Sequence, residues 1–359
     1  MEDIAILSKW KIKKKKPIII AGPCSVESRE QLEATAFEIK KIAEVDFFRA
    51  GAWKSRTRKS SFEGKGEEAI QWLSEIQQKF SIAVCTEIAS PKHLEICLKH
   101  GISNFWIGSR TVASPFSVKD ISEALRGVKA KIMVKNPMNP DIELWTGAIE
   151  RIYKAGICEI AAVHRGFFTY NKSNYRNEPL WQIPIELKRR IPSLPIICDV
   201  SHLCGKKEMI SETAQWAMDL EMNGLMIESH IEAEKALPDA RQQISPNDLR
   251  ILLKNIQIPV KKRVKLQAQL NRLRLEIDET DRLLLQQLAQ RMEIIKRMGE
   301  IKAENNISIL QMERWKKILS ERIEIGENLG IDKSFLFSLL QLIHEESIKI
   351  QAKINRKKE

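Results

Sequence analysis

Residues 17–25 read Pro17-Ile18-Ile19-Ile20-Ala21-Gly22-Pro23-Cys24-Ser25, a short apolar run closed by a turn. Seven more runs of that kind follow: Asp46–Arg49, Ile82–Thr86, Asn104–Gly108, Lys131–Lys135, Glu159–Val163, Pro195–Val200 and Gly224–Glu228. Between them lie amphipathic stretches of helical length, among them Gln31–Val45, Gly66–Phe80, Pro91–His100, Ser117–Gly127 and Pro246–Ile256. Strands buried on both faces read as continuous apolar runs, and helices returning between them imply parallel pairing. Eight such units in roughly 250 residues have the size and count of a (β/α)8 TIM barrel. An open dinucleotide-binding sheet is the weaker reading, because no Gly-x-Gly-x-x-Gly follows the first run.

The pattern changes after Ile258. From Leu266 onward there is no proline and no strand signal. Leu266, Leu270, Leu273, Ile277, Leu284, Leu288, Ile295 and Met298 recur at steps that trace the stripe of one long helix. Two shorter helical patterns, Ile309–Ile325 and Lys333–Ala352, follow on either side of Gly326–Asp332. The expected organisation is therefore a barrel over residues 1–258, a linker over 259–265 and an all-α three-helix domain over 266–359. A first helix of about 40 residues is too long to bury its stripe within one small domain, which predicts a homodimer, or a higher oligomer, through this module.

Composition narrows the function classes. The 359-residue chain is 30% charged and 43% hydrophobic, the balance of a globular protein. No run approaches the roughly 20 apolar residues of a membrane helix, and Ile4–Leu7 is too short for a signal-peptide core. A cytoplasmic protein with no membrane partner is expected. The six cysteines show no Cys-x-x-Cys pairing, and Cys85, Cys158 and Cys198 sit in apolar strand-like runs that suit buried thiols. The net charge of +12 is partly terminal, with only three tyrosines and no nucleic-acid motif, so anionic metabolites are favoured over nucleic acid.

In a barrel of this kind the site lies where the strands end. Those ends carry Cys24, Arg49 with Lys54 and Arg56 beyond it, Glu87, Arg110, Lys135, His164-Arg165, His202 and Glu228, with Asp239 in the last loop. Arg49, Lys54, Arg56, Arg110, Lys135 and Arg165 form a cationic ring suited to phosphates and carboxylates. Cys24, His202, Glu228 and Asp239 come from neighbouring ends of the closed barrel and make a mixed donor set for one divalent ion: Mn, Fe, Co or Zn.

The segments Ile20-Ala21-Gly22-Pro23-Cys24-Ser25, Arg49-Ala50-Gly51-Ala52-Trp53-Lys54-Ser55-Arg56-Thr57, Trp106-Ile107-Gly108-Ser109-Arg110, Asp199-Val200-Ser201-His202 and Glu234-Lys235-Ala236-Leu237-Pro238-Asp239 resemble the short form of 3-deoxy-D-arabino-heptulosonate 7-phosphate (DAHP) synthase, from about Pro17 to Ile256. The resemblance implies condensation of phosphoenolpyruvate with erythrose 4-phosphate, an early step toward chorismate. It implies Cys24, His202, Glu228 and Asp239 as metal ligands, and Arg49, Lys54 and Lys135 around the phosphoenolpyruvate carboxylate. Arg110 and Arg165 would take its phosphate, Arg56 and Thr57 the aldehyde substrate, and His164 or Lys54 the proton transfers. His164 stands where a glutamate is common, and Lys135 is followed by Asn136-Pro137 in place of a glycine-containing turn. The rival in the same class condenses arabinose 5-phosphate; the intact Lys-x-Arg-Thr at 54–57 favours the four-carbon aldehyde.

In the helical module, Arg291 and Lys302 are eleven residues apart and share one helix face, and Ser347 and Gln351 interrupt the apolar stripe of the last helix. With Arg274, Asp281 and Arg314, the spacings Arg274-x6-Asp281-x9-Arg291-x10-Lys302 and Ser347-x3-Gln351 are similar to those of the all-helical chorismate mutases. The resemblance implies that chorismate's carboxylates are gripped by Arg274 (from a partner chain) and Arg291, with Ser347 assisting. Lys302 and Gln351 would face the ether oxygen, with Arg314 also binding substrate. Gln311 and Trp315 stand where that family usually has Asp and Glu. The expected whole is a bifunctional shikimate-pathway enzyme, and the alternative is an active synthase whose helices serve as a dimerising, feedback-sensing module.

Overall fold

The computed structural model describes residues 10, 16–54, 62–170, 174–259 and 264–356, with side chains described from residue 269 onward in the long helix. Eight parallel strands close into a barrel in sequence order: β1 (Ile18–Gly22), β2 (Phe47–Arg49), β3 (Val84–Ile88), β4 (Asn104–Ile107), β5 (Lys131–Lys135), β6 (Glu159–His164), β7 (Ile196–Asp199) and β8 (Gly224–Glu228). Closure is direct, with Ile18 opposite Gly224 and Gly22 opposite Glu228. The helices of this part are α1 (Arg29–Lys40), α2 (Glu67–Phe80), α3 (Pro91–Lys99), α4 (Ser109–Val112), α5 (Pro115–Ala124), α6 (Ile142–Lys154), α7 (Gln182–Arg190), α8 (Val200–Cys204), α9 (Ile210–Asp219) and α10 (Pro246–Asn255). Helices α3, α5 and α10 each open on a Ser-Pro pair. The serine side chain accepts an otherwise orphaned backbone N–H, and proline occupies the first turn, where no N–H is needed.

Alternation along the strands sorts the core into two layers. Ile19, Phe48, Val84, Phe105, Ile132 and Ile227 meet the helices, whereas Ile20, Cys85, Trp106, Met133, Ala161 and Met226 fill the lumen. At the end of the lumen where the strands begin, Trp10 packs edge-on against Phe47 at 5.9 Å, with the Lys131 ammonium 5.2 Å over its ring. The opposite end carries the charged residues.

Three local differences from the sequence reading have physical causes. Strand β3 runs on to Ile88, which puts Glu87 inside the sheet, where its carboxylate accepts from the Trp106 indole at 2.9 Å. Strand β7 stops at Asp199 because that side chain accepts from the His202 backbone and starts α8. Cys158 is half-exposed in the turn before β6, while Cys85 and Cys198 are buried as expected.

The chain divides into two compact units, Met1–Val260 and Lys261–Glu359. The second is helical throughout its described elements: α11 (Val264–Glu304), α12 (Met312–Asn328) and α13 (Lys333–Arg356). Helix α13 packs against both α11 and α12. A Cβ on Gly299 would lie 3.2 Å from Gln351 Cγ, so glycine there lets α11 and α13 approach closely. Among the described residues no helix is long and apolar enough to cross a membrane.

Candidate active sites

Strand β2 ends by burying Arg49 at the centre of the barrel mouth. Its Nη2 lies 3.2 Å from Glu228 Oε1 and 3.3 Å from the Cys24 carbonyl, and the guanidinium sits 4.7 Å from the Trp106 ring centre. Nε and Nη1 of Arg49 are buried without a hydrogen-bond partner. Two orphaned donors on a buried cation are costly unless an anion takes them. Strand β5 ends on Lys135, whose ammonium donates to Asp199 Oδ2 at 2.7 Å. Asn136, fully buried after it, accepts from the Arg165 backbone at 2.7 Å and donates to the Gly166 carbonyl at 2.8 Å. That amide pins the ends of β5 and β6 together.

Lys54 Nζ lies 3.1 Å from Cys24 Sγ, and Arg165 Nη1 donates to Asn177 Oδ1 at 2.7 Å. Arg110 is exposed on α4. Arg56 and Thr57 lie outside the described residues. His164 is fully buried beside Phe167 and Trp181, at ring-centre distances of 5.8 and 5.2 Å. Burial, helped by Arg165, pushes its imidazole down to about 3, so the ring is neutral at neutral pH.

The four proposed metal donors meet in pairs. Cys24 Sγ is 3.6 Å from Asp239 Oδ2, and His202 Nε2 is 3.8 Å from Glu228 Oε1. Among the described residues, no three His, Cys, Asp or Glu side chains close into a group able to hold an ion as they stand. The donor chemistry nevertheless fits a divalent transition metal. His202 Nδ1 faces Asp199 at 2.9 Å, the carboxylate contact that orients a ligating imidazole, and burial keeps His202 below its usual value. Glu228 Oε1 is buried without a hydrogen-bond donor. Burial alone would raise the Glu228 and Asp199 carboxyls. The His202 ring with Arg49 at Glu228, and with Lys135 at Asp199, holds both below their usual range. Burial raises the Cys24 thiol, with Glu228 adding to the effect.

Among the groups that hold these side chains, the sequence pointed to Asp199 and Asn136 without giving them a role, and Arg176, Asn177, Gln242 and Gln243 were not singled out. Gln243 Oε1 accepts from the Cys24 backbone at 3.0 Å, and Gln242 Nε2 donates to Glu228 Oε2 at 2.6 Å. The available signal was an amide pair three residues beyond Asp239.

In the helical unit, Arg291 Nη1 donates to Ser347 Oγ at 2.7 Å, bringing α11 and α13 together. Gln351, one turn further along, donates to the Ser347 carbonyl at 3.2 Å and keeps a buried, unpartnered Oε1. Lys302 is buried, and its ammonium donates to the Ile309 carbonyl at 2.8 Å. Arg322, which the sequence reading missed, lies close enough to Arg291 to depress its basicity, secondary to burial. Arg274, Asp281 and Arg314 are exposed, and Arg274 donates to Asn271 at 3.1 Å. Arg274 lies about 25 Å along α11 from Arg291 at the rise of an α-helix. Trp315 stacks on His344, with ring centres 3.9 Å apart.

Residues 7–265 match the DAHP synthetase I family, and residues 273–352 match chorismate mutase type II. A curated phospho-2-dehydro-3-deoxyheptonate aldolase of Thermotoga maritima is 33% identical over 63% of this chain, a match that spans 64% of the relative's own length. A bifunctional chorismate mutase/prephenate dehydratase of Buchnera aphidicola is 34% identical over 23% of this chain and 21% of its own. The crystal structure of a Thermotoga maritima DAHP synthase superposes with a TM-score of 0.62 at 28% identity, covering 70% of each chain. The chain thus belongs to the DAHP synthetase I family and carries a chorismate mutase type II segment after its barrel.

Proposed function

We propose that the protein is a bifunctional enzyme of aromatic biosynthesis. Its barrel condenses phosphoenolpyruvate with erythrose 4-phosphate and water to DAHP and phosphate, and its helical unit rearranges chorismate to prephenate. The observation that carries the first reading is Arg49, a buried guanidinium with two unpartnered donors, which shares the Trp106 ring with Lys135 and lies within electrostatic reach of Lys54. Arg49, Lys54 and Lys135 receive the enol carboxylate, and Arg110 and Arg165 receive its phosphate. Arg56 and Thr57 receive the aldehyde's phosphate. The ring of cations holds two like-charged substrates in contact, which turns a bimolecular encounter into an oriented one. C3 of the enol bonds to the aldehyde carbon, the aldehyde oxygen takes a proton, water adds at C2 and phosphate leaves. Of the two candidate proton carriers we assign Lys54: burial alone would lower its ammonium, but Cys24 and Glu228 raise it, whereas His164 is neutral.

Cys24, His202, Glu228 and Asp239 would hold one divalent ion: Mn, Fe, Co or Zn. The chemistry such an ion supplies when bound is Lewis acidity at the aldehyde oxygen.

In the helical unit, Arg291 and Ser347 grip one carboxylate of chorismate, Lys302 and Gln351 stabilise charge at the breaking ether, and Arg274 and Arg314 arrive from outside this cluster. The rearrangement is unimolecular, so shape and charge suffice without a nucleophile. Arg274 reaches a site only in a homodimer, for which the open apolar stripe of α11 is the interface. All six cysteines are free, in keeping with a reducing cytoplasm.

A second reading of the helices is favoured by Trp315, which stacks on His344 instead of presenting a carboxylate: the unit then binds its dianion as a sensor for the barrel. The full chain tests both. Loss of chorismate absorbance supports the mutase. No loss, together with prephenate inhibition of phosphate release, supports the sensor.

A further inference from the structure

Arg176, in the segment between β6 and α7, reaches across the barrel mouth. Its Nη1 donates to Asp239 Oδ1 at 2.9 Å and to Gln242 Oε1 at 2.6 Å. Gln242 is buried and spends its other end on Glu228 Oε2, again at 2.6 Å. One guanidinium and one amide therefore connect the two carboxylates of the donor set. The anchor of this relay is the helix that carries His202. Arg176 N and Asn177 N both donate to the Leu203 carbonyl, at 3.0 and 3.2 Å, and Asn177 Nδ2 donates to the His202 carbonyl at 2.6 Å. Gly205 ends that helix at φ +68°, and a Cβ there would fall 2.4 Å from Arg176 Cβ, so the absence of a side chain is what admits the arginine. Asp239 itself stands at φ +54°, a left-handed conformation that a non-glycine residue keeps only when its surroundings fix it.

We propose that Arg176 and Gln242 are positioning residues that set Asp239 and Glu228 relative to each other and to His202, and so fix the affinity of the barrel for its ion. The inference rests on the metal reading of the barrel given above. An amide whose carbonyl and NH2 ends are both committed has one orientation, and a guanidinium bonded to two acceptors locks the loop that bears Asp239 to it. Neither residue touches substrate in this scheme.

The test is titration of the chelated full-length protein with Co(II), followed by the thiolate–cobalt absorption, beside calorimetric titration of the same metal-free protein with phosphoenolpyruvate. Arg176→Met keeps the stem packed on Gly205, and Gln242→Met keeps the buried volume. Each is expected to weaken Co(II) binding about 10- to 100-fold, the usual cost of losing a partner of a metal ligand. The double variant should be no weaker than the worse single one, because the two act in one chain. Phosphoenolpyruvate affinity should stay within about twofold, since the cations that bind it keep their partners. Unchanged Co(II) affinity in both single variants overturns the proposal, as does a parallel loss of phosphoenolpyruvate binding, which marks general damage. Should Arg176→Met not fold, Gln242→Met alone decides. If the unaltered protein binds phosphoenolpyruvate but no Co(II), the metal reading falls and takes this proposal with it.

Discussion

The barrel and the helical unit solve the problem of burying charge in opposite ways. Among the described residues, buried ions at the barrel mouth have an opposite charge beside them, Arg49 with Glu228 and Lys135 with Asp199, on top of a filled lumen. In the helical unit, the buried hydrophobic residues among those described are Ile295, Leu336 and Leu340, and they share the interior with Lys302, Ser347 and Gln351. Of the stripe read from the sequence, Leu273, Ile277, Leu284 and Met298 remain 42–58% exposed. Each such side chain contributes about 1.5–3 kcal/mol when fully buried. On the proposed reading, the barrel assembles its site from one chain, whereas the helical unit carries half of an interface, and a second copy would complete its cationic cluster with Arg274.

The largest expected effect separates the two regions. Arg49→Ala should cut phosphate release from phosphoenolpyruvate and erythrose 4-phosphate about a thousandfold, because it removes charge stabilisation at the reacting centre. It also strands Glu228, at a cost of about 3–5 kcal/mol in denaturant unfolding. Chorismate consumption should not change. Conversely, Arg291→Ala should slow chorismate consumption about a hundredfold and leave phosphate release intact; equal losses in both assays would break the comparison. Leu284→Glu should weaken dimerisation at least about tenfold by sedimentation, since it places a charge in the apolar stripe. Mutase activity should then depend on protein concentration while the synthase does not. Trp315→Glu should produce the smallest change, a gain in chorismate turnover of up to about tenfold, the worth of one charged hydrogen bond. No gain would favour the sensor reading.

What was legible in the sequence follows from range. The strands were readable because burial on both faces leaves a local signature, and two of them, Lys131–Lys135 and Gly224–Glu228, have the expected ends. Strand β7 ended early because Asp199 turns back on His202, a choice made by one side chain and invisible to an apolar count. The length of α11 was readable from its periodicity, and α12 begins three residues later than expected, after the Ile309 carbonyl has accepted from Lys302. The charged atoms of the rim were evident as strand ends. Their supports were not: Asn136, Asn177, Arg176 and Gln242 owe their roles to partners up to 66 residues away. The same holds for His164, whose position at the end of β6 was readable but whose neutral state depends on Arg165, Phe167 and Trp181 packed around it.

On the proposed function, one chain carries two chemically independent sites, one needing a metal ion and one needing none. A single preparation of the full-length protein, assayed for phosphate release and for chorismate absorbance before chelation, after it, and after adding back Mn(II) or Co(II), tests this directly. Condensation is expected to disappear with chelation and return with the ion, while chorismate is consumed at the same rate in all three samples. Condensation that survives chelation, or chorismate consumption that stops with it, would contradict two independent sites of which only the barrel's needs an ion.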